Sequence, residues 1–182
     1  MCNTLRLIAG AALMAAVAVA LANVDPVFID GFGREPDNVA GATAAHNAVR
    51  ADVGIAPLYW DEALAAAAQD WADQCVDIEA PTGLLDNDVN RSVGFPWYVG
   101  ENNYGTAGSA DVASAVAFWA SQAANYDYDT NQCSSACSLY LQVVWASSVR
   151  VGCGISSCAN LSFGNSVVCK YGPGGVDGGR PY

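Results

Sequence analysis

Six cysteines downstream of an apolar leader constrain the fold more than any other feature of the sequence. The chain contains seven cysteines, and Cys2 lies within residues 1–22, where Arg6 precedes an apolar run that ends in Ala20-Leu21-Ala22. This pattern predicts a signal peptide that is cleaved before Asn23, which leaves an even number of cysteines. Because the secretory route is oxidising, we expect three disulfides rather than free thiols or a zinc site.

After loss of the leader, the chain has the size and charge of one acidic domain. About 160 residues remain, and we predict an N-terminal extension over residues 23–38 and a single domain over residues 39–182. The formal net charge of −11 becomes about −12 once Arg6 is removed. Such a surface disfavours nucleic acid and anionic membranes as partners. We expect a secreted, extracellular monomer without a transmembrane segment in its mature form, and the sequons at Asn90 and Asn160 fit that route.

Apolar periodicity predicts three helices. Residues 40–52 form the first, and the third spans about residues 110–124. The second begins after Asp61, whose carboxylate can cap the helix N-terminus. The inward residues of the first helix are predicted to be Ala44, Val49 and Val53, and those of the second Leu64, Ala67, Ala68, Trp71 and Cys75.

Short strands are predicted in the last third of the chain. Residues 149–155 and 165–172 have strand character, whereas residues 137–145 fit a strand and a helix equally well. Residues 80–100 form a long connection without sustained periodicity, and the aromatic cluster at 95–98 indicates a packed or ligand-facing loop. The sequence therefore predicts an α+β domain in which helices cover a small antiparallel sheet.

Five segments of the chain, in this order, resemble the CAP superfamily of cysteine-rich secretory proteins, antigen 5 and pathogenesis-related class 1 proteins. They are AHNAVRADVGIAPLYWDEALAAAAQDWADQC, GENNYGTAG, AVAFWASQAANYDYDTNQC, LYLQVVWASSVRVGC and the terminal RPY. The sequence is most similar to the plant-type pathogenesis-related group. The resemblance implies an α-β-α sandwich.

The resemblance also implies a disulfide pattern. Six cysteines allow fifteen pairings, and their spacing alone does not choose among them. Carried over from the family, the pairs are Cys75 with Cys153, Cys133 with Cys137, and Cys158 with Cys169.

Many family members have a cleft with two histidines and two glutamates that can bind a divalent metal, and this sequence departs from that pattern. Glu101 matches the first glutamate, Gln122 stands at the second, and Leu139 replaces the histidine that opens the motif ending in Trp145. No histidine precedes the Gly-Glu-Asn motif within residues 93–99. Because imidazole ligands make such sites bind at neutral pH, we predict no metal site and no cofactor.

The sequence offers no set of catalytic residues. His46 is the only histidine, it matches a structural position of the family's first helix, and no Gly-x-Ser-x-Gly elbow occurs. Arg50 lies one turn further on the same helix face. We therefore predict no catalytic residue.

The leading functional hypothesis is a secreted, non-enzymatic protein that binds a sterol, a fatty acid or an extracellular protein partner. The resemblance implies that Tyr126 and Tyr128 belong to a sterol-contacting loop. One alternative is a weak metal-assisted or acid-base hydrolase that uses Glu101. Another is a precursor of a C-terminal signalling peptide, because GPGGVDGGRPY resembles a segment that plant members release, although it could equally be a flexible tail.

Overall fold

The computed structural model describes residues 33–78, 82–175 and 178–182. The predicted signal peptide and most of the predicted extension lie outside these residues. Across the described part of the chain, none of the helices combines the length and the apolar character needed to cross a bilayer.

Four α-helices form within the described residues, and two of them begin at a capping aspartate. They are α1 (Ala42–Asp52), α2 (Glu62–Ala72), α3 (Val112–Ser121) and α4 (Ser138–Val143). Asp61 caps α2 by accepting a hydrogen bond from the Leu64 amide at 2.9 Å. Asp111 caps α3 in the same way through the Ser114 amide at 2.8 Å. The predicted cap of α2 and the predicted starts of α2 and α3 are therefore close to those observed, whereas the Asp111 cap was not predicted. The ambiguous segment 137–145 is mainly a helix.

Six strands form two sheets within the described residues. They are β1 (Tyr59–Trp60), β2 (Gly100–Thr106), β3 (Tyr126–Asp127), β4 (Gln132–Cys133), β5 (Arg150–Ser157) and β6 (Asn165–Gly172). The main sheet has the order β1-β5-β6-β2 and is antiparallel except for the β1–β5 pair. Strands β5 and β6 confirm the prediction. The Gly-Glu-Asn segment, which the sequence analysis did not assign to a strand, opens β2.

Helices cover both faces of the main sheet, which confirms the predicted α-β-α sandwich. On one face, Gly152 and Gly154 let the backbone of α2 approach β5 so closely that a Cβ at either position would overlap it. On the other face, apolar residues of β5 and β6 pack with α1, α3 and α4. This core includes Val151, Cys153, Val167, Cys169, Tyr171, Val116, Trp119 and Val143.

The predicted inward face of α1 is wrong in part. The helix buries Ala42, His46 and Arg50, whereas Ala44 is exposed. The buried Arg50 guanidinium donates to one backbone carbonyl after α1 and to three at and after the end of α4. These acceptors are Ala56, Val143, Trp145 and Ser148, at 2.8–3.0 Å. These hydrogen bonds to carbonyl oxygens allow the cation to be buried. A charged residue therefore lies at an interior position for which hydrophobic periodicity predicts an apolar one.

The structure corrects two of the three predicted disulfides. Cys133 pairs with Cys137 as expected, but Cys75 bonds Cys158 and Cys153 bonds Cys169. Cys153 and Cys169 lie directly opposite each other on β5 and β6, with their Cα atoms 4.1 Å apart. Cys75 follows α2 and packs with Cys158 in the cluster on the other face of the sheet. The predicted bond between Cys75 and Cys153 would have to pass through the sheet.

Candidate functional site

Glu101 belongs to a buried ionic cluster at the β2 edge of the sheet. It lies directly opposite Lys170 of β6 in the strand register, and its Oε2 is 3.0 Å from Lys170 Nζ. The same ammonium donates to Asp88 Oδ2 at 2.6 Å. The side chains of Lys170, Glu101 and Asp88 are 0%, 1% and 15% exposed. An ammonium thus lies between two carboxylates in a nearly solvent-free setting. We call this group the ionic cluster.

The second oxygen of Glu101 is also occupied. Glu101 Oε1 accepts hydrogen bonds from the Asp88 amide at 3.0 Å and from Asn103 Nδ2 at 3.3 Å. Gln122 does not reach this carboxylate. Oε1 of Glu101 therefore holds the loop before β2 against the sheet, while Oε2 pairs with the neighbouring strand, which is a structural use of the carboxylate.

Leu139 and Gln122, the other two positions of the family cleft, bond to each other. The Leu139 amide donates to Gln122 Oε1 at 3.1 Å, and the Leu139 carbonyl accepts from Asn102 Nδ2 at 2.9 Å. Gln122 lies in the 3-10 turn that follows α3, and Leu139 lies in the first turn of α4. Glu101 and Leu139 share a cavity of about 190 Å³, whereas Gln122 and Leu139 line a neighbouring one.

A chain of hydrogen bonds runs from His46 through Tyr171 and Asn102 to the Leu139 carbonyl. The Nδ1 of His46 donates to the Ala42 carbonyl at 2.7 Å, so Nε2 accepts from the Tyr171 hydroxyl at 2.8 Å. Asn102 Nδ2 in turn reaches the Tyr171 hydroxyl at 3.3 Å. Complete burial lowers the pKa of His46 to about 4, and burial raises the pKa of Tyr171 well above its ordinary value. A neutral, fully bonded imidazole fits the predicted structural role.

Sequence reasoning missed Lys170 and Asp88. The signal was present, because Lys170 is the only charged residue in the strand sequence NSVVCKYG. A lone cation in an apolar strand is rarely buried without a charged partner. The partner could not be identified from the sequence, because Asp88 lies in the aperiodic loop and only strand pairing brings Glu101 opposite the lysine.

The side chains at the family's metal positions do not fit a divalent cation. Lys170 places a positive charge against the one carboxylate that remains, Gln122 uses its carbonyl oxygen to accept from Leu139, and the Leu139 side chain has no donor atom. Within residues 33–78, 82–175 and 178–182, no group of three or more His, Cys, Asp or Glu side chains could hold a metal ion.

The predicted ligand loop lies under the C-terminus of the chain. The ring of Tyr128 stacks on Tyr182 at 4.9 Å, and the Arg180 guanidinium lies 5.0 Å from the centre of the Tyr128 ring. Tyr126 donates its hydroxyl to Asn131 Oδ1 at 2.8 Å. Arg180 and Tyr182 therefore pack on the loop that carries Tyr126 and Tyr128, which we call the tyrosine loop. The alternative of a flexible tail stays a prediction.

A larger apolar cavity opens beside Leu139. Its volume is about 510 Å³, within the range of about 300–1,000 Å³ that is typical of small-molecule pockets. It lies between the free edge of β2, the end of α3, the start of α4 and the loops before β2 and β6. We call it the apolar cavity. No local sequence pattern predicts this cavity, since its walls come from five separate segments.

The aromatic cluster of the long loop makes contacts with two arginines, although Tyr98 is 53% exposed. The ring centres of Trp97 and Phe95 lie 6.2 Å apart. The central guanidinium carbon of Arg150 lies 5.8 Å from the ring centre of Trp97. Arg91 donates to the Val99 carbonyl at 2.9 Å and to the Tyr98 hydroxyl.

Both sequon asparagines, Asn90 and Asn160, have exposed side chains. Glycosylation at either of them remains a prediction.

Comparison with known proteins agrees with this fold. Residues 43–171 match the family described as CAP, the cysteine-rich secretory protein family. Pathogenesis-related protein 1 of Arabidopsis thaliana is 39% identical over 139 residues, which cover 76% of this chain and 78% of that protein. Pathogenesis-related protein 1B of Nicotiana tabacum is 41% identical over 142 residues, with coverages of 76% and 77%. The structure of venom allergen-like protein 4 of Schistosoma mansoni superposes with a TM-score of 0.66 at 28% identity and covers 81% of this chain and 94% of that one. The chain therefore belongs to the CAP family of cysteine-rich secretory proteins.

Proposed function

We propose that this protein is a secreted, non-enzymatic CAP-domain protein of the pathogenesis-related type that acts outside the cell in defence by binding a sterol or another small lipid. The observation that carries the proposal is the ionic cluster. Lys170 forms ion pairs with the carboxylates of both Glu101 and Asp88, so the described residues of the family's cleft offer neither a metal donor set nor a free acid-base pair. Apolar contact is the remaining way for this region to bind a ligand.

The relatives support the extracellular part of the proposal. The family is described as secretory, and the plant relatives are named pathogenesis-related proteins. Three disulfides among the described residues fit an oxidising compartment. Secretion predicts that residues 1–22 are absent from the protein isolated from culture medium, which intact mass spectrometry measures directly.

The tyrosine loop is one place where such a ligand would bind. Tyr128 is partly exposed, and Tyr126 lies 6.5 Å from it in an edge-to-face arrangement. Aromatic rings offer broad apolar contact with a sterol skeleton. Because Tyr182 covers one face of Tyr128, a ligand would have to use the other face or displace the C-terminus.

The test is a titration with dehydroergosterol, a fluorescent sterol. The double variant Tyr126→Ala/Tyr128→Ala is expected to lose binding, whereas Tyr126→Phe/Tyr128→Phe keeps both rings and should bind as the wild type does. Tyr59→Ala removes an exposed tyrosine outside the loop and is the matched control. Undiminished binding by the double alanine variant would remove the loop from the proposal, and a wild-type protein that binds no lipid would remove the proposal itself.

A further inference from the structure

Strand β2 forms an edge of the main sheet that no other described strand covers. In the order β1-β5-β6-β2 it has a single neighbour, β6, with which it pairs from Gly100 to Thr106. In an antiparallel pair, alternate residues direct both of their backbone groups toward the partner strand, and the residues between them direct theirs away from it. The outer edge of β2 therefore presents amide donors and carbonyl acceptors at every second residue.

The hydrogen bonds of the sheet identify these outward residues. The carbonyls of Val149 and Val151 accept from amides at and just after β1, so the even-numbered residues of β5 bond to β6. Through the pairing register, the odd-numbered residues of β6 then bond to the even-numbered residues of β2. The backbone groups of Glu101, Asn103 and Gly105 therefore point away from β6.

These outward groups are accessible, and most of them have no partner among the described residues. The Trp119 indole donates to the Asn103 carbonyl at 3.1 Å, which agrees with the outward direction of this carbonyl. No described residue bonds the amides of Glu101, Asn103 and Gly105, or the carbonyls of Glu101 and Gly105. Glu101 is partly exposed although its side chain is only 1% exposed, so its accessible surface belongs to the backbone. Gly105 is also partly exposed and consists of backbone alone.

The apolar cavity lies along this edge and has a wall on each face of the sheet. On the α2 face, a Cβ at Gly105 would lie 2.5 Å from Leu84 Cδ2 and 3.2 Å from Phe163 Cβ, so both side chains lie close against the edge. On the other face, the rings of Tyr104 and Phe118 lie 5.3 Å apart. Leu84, Phe118 and Phe163 are 39%, 49% and 41% exposed, so both walls keep accessible apolar surface.

A single extended peptide fits between two such walls. Successive side chains of a strand point to opposite faces, so consecutive apolar residues of a peptide paired with β2 would contact the two walls in turn. The outward residues from Glu101 to Gly105 span about 14 Å, which corresponds to about five residues of a strand. Main-chain hydrogen bonds to the edge would hold the peptide, and the walls would select its side chains.

The charge of the chain favours a basic peptide over a second copy of this protein. The formal net charge is −11, and none of the residues that line the apolar cavity is a lysine or an arginine. Basic residues on either side of the apolar ones would be attracted by this field, whereas an acidic peptide would be repelled. A second copy would bring the same negative charge and its own two walls to the edge.

We propose that the outer edge of β2 binds an extended peptide segment of a protein partner by strand addition, with consecutive apolar side chains in the apolar cavity and basic residues on either side of them. The backbone groups of Glu101, Asn103 and Gly105 bond the main chain of this peptide. This interaction surface goes beyond the proposed lipid-binding function and does not depend on it.

The first experiment titrates the full mature chain into a fluorescent peptide, acetyl-KKVLFVVKK-amide, and follows its anisotropy. Two N-methylated forms carry methyl groups on alternate amides of the apolar residues, one on each set. Because only one set faces β2, one form is expected to lose affinity at least tenfold, whereas the other binds as the parent peptide does. The acidic peptide acetyl-EEVLFVVEE-amide is expected to bind at least tenfold more weakly than the parent.

Variants test the walls of the cavity. Phe118→Ser, at a partly exposed position, is expected to weaken binding of the parent peptide at least tenfold, while its thermal unfolding midpoint shows that the domain is folded. Ile78→Ser is the matched control, because this side chain is 83% exposed and lies outside the cavity. Unchanged affinity in Phe118→Ser would overturn the role of the cavity.

Amide hydrogen exchange, measured by NMR, tests the edge directly. In the free protein the amides of Asn102 and Tyr104 are expected to exchange slowly, because they bond to β6, whereas those of Asn103 and Gly105 exchange quickly. The parent peptide should slow exchange at Asn103 and Gly105 at least tenfold and leave Asn102 and Tyr104 unchanged.

The remaining outcomes each overturn the proposal. Absence of binding by the lysine-flanked peptide removes it, and equal affinities of the two N-methylated forms would indicate apolar contact without strand pairing, as a lipid makes. Slow exchange at Asn103 and Gly105 that appears when the protein alone is concentrated would assign the edge to a second copy of the chain.

Discussion

The ionic cluster and the apolar cavity both lie along β2, yet the chain treats them in opposite ways. Around Glu101 the carboxylate lies 3.0 Å from the ammonium of Lys170 and accepts a hydrogen bond from the amide of Asn103. Around Leu139 and Phe118 the walls are apolar and remain partly exposed. The first region is filled by its own charged side chains, whereas the second leaves apolar side chains partly accessible.

This difference bears on what the region can do when Leu139 stands where the resemblance to the family predicts a histidine. Removal of metal ligands from a cleft would leave buried carboxylates without a counter-charge, which is costly. Lys170 supplies the counter-charge from the neighbouring strand. Leu139 then needs no polar partner for its side chain, and it can contribute to an apolar site instead.

The largest expected change in stability tests the ionic cluster. Lys170→Met leaves Glu101 and Asp88 buried without a cation, so the free energy of unfolding should fall by about 3–5 kcal/mol. Denaturant unfolding followed by tryptophan fluorescence measures this change. Lys170→Met/Glu101→Gln should be more stable than the single variant, because it removes one uncompensated charge.

Arg34→Met is the matched control for this prediction. Arg34 pairs with Asp37 at 3.7 Å, but both side chains are almost fully exposed, so no measurable change is expected. An unfolding midpoint of Lys170→Met equal to that of Arg34→Met would contradict the structural role assigned to the ionic cluster.

The second prediction concerns how the stability of the protein depends on pH through His46. The pKa of His46 falls from about 6.5 to about 4 on folding because the ring is buried, so the unfolded chain binds a proton between these values and the folded chain does not. The stability of the wild type should therefore fall as the pH drops through this window, by about 3 kcal/mol at pH 4 relative to pH 7.5.

Carboxylates also titrate in this range, so the His46 contribution is isolated by comparison with His46→Gln. The variant is expected to be less stable than the wild type at pH 7.5, and the gap should narrow by about 3 kcal/mol at pH 4, where only the wild type loses the histidine contribution. A constant gap across the window would show that His46 does not titrate as its burial requires.

The smallest effects compare two glycines of β2. A Cβ at Gly100 would overlap the buried amide of Gln142, which bonds the Gly175 amide at 3.1 Å, so Gly100→Ala should cost about 1–3 kcal/mol. At Gly105 the nearest atom belongs to the partly exposed Leu84, which can move, so Gly105→Ala should cost less than about 1 kcal/mol. Thermal unfolding of the pair measures the difference. Equal losses of stability in the two variants would mean that the side chains around Gly105 are packed as rigidly as those around Gly100.

Most of the secondary structure was predictable, because helix caps and apolar runs in the sequence agree with the packing of the folded chain. Asp61 caps α2 as expected, and the apolar runs at 149–155 and 165–172 are central strands. The prediction failed at β2 and on α1. Asn and Gly have low strand propensity, but pairing with β6 along its length overrides that propensity in β2. On α1, the buried face carries His46 and Arg50, which hydropathy assigns to the surface.

Of the site, the sequence identified Glu101, Gln122 and Leu139, and the structure supplied their partners. Which carboxylate or amide reaches which group depends on strand register and loop path, and neither is encoded in local spacing. The two corrected disulfides have the same cause. Cys153 faces one side of the sheet and Cys75 lies on the other, and a pattern of cysteine spacings contains no information about sheet faces.

By itself, the sequence determined the family and the α+β class, and it predicted that Leu139 occupies the position of a metal-binding histidine, because residue identity and periodicity are local properties. The tertiary structure alone decided that Lys170 neutralises Glu101, that the C-terminus covers Tyr128 and that an apolar cavity opens beside Leu139. These features depend on which surfaces meet when distant segments pack, and the free energy of such contacts is set by burial and charge in the folded chain.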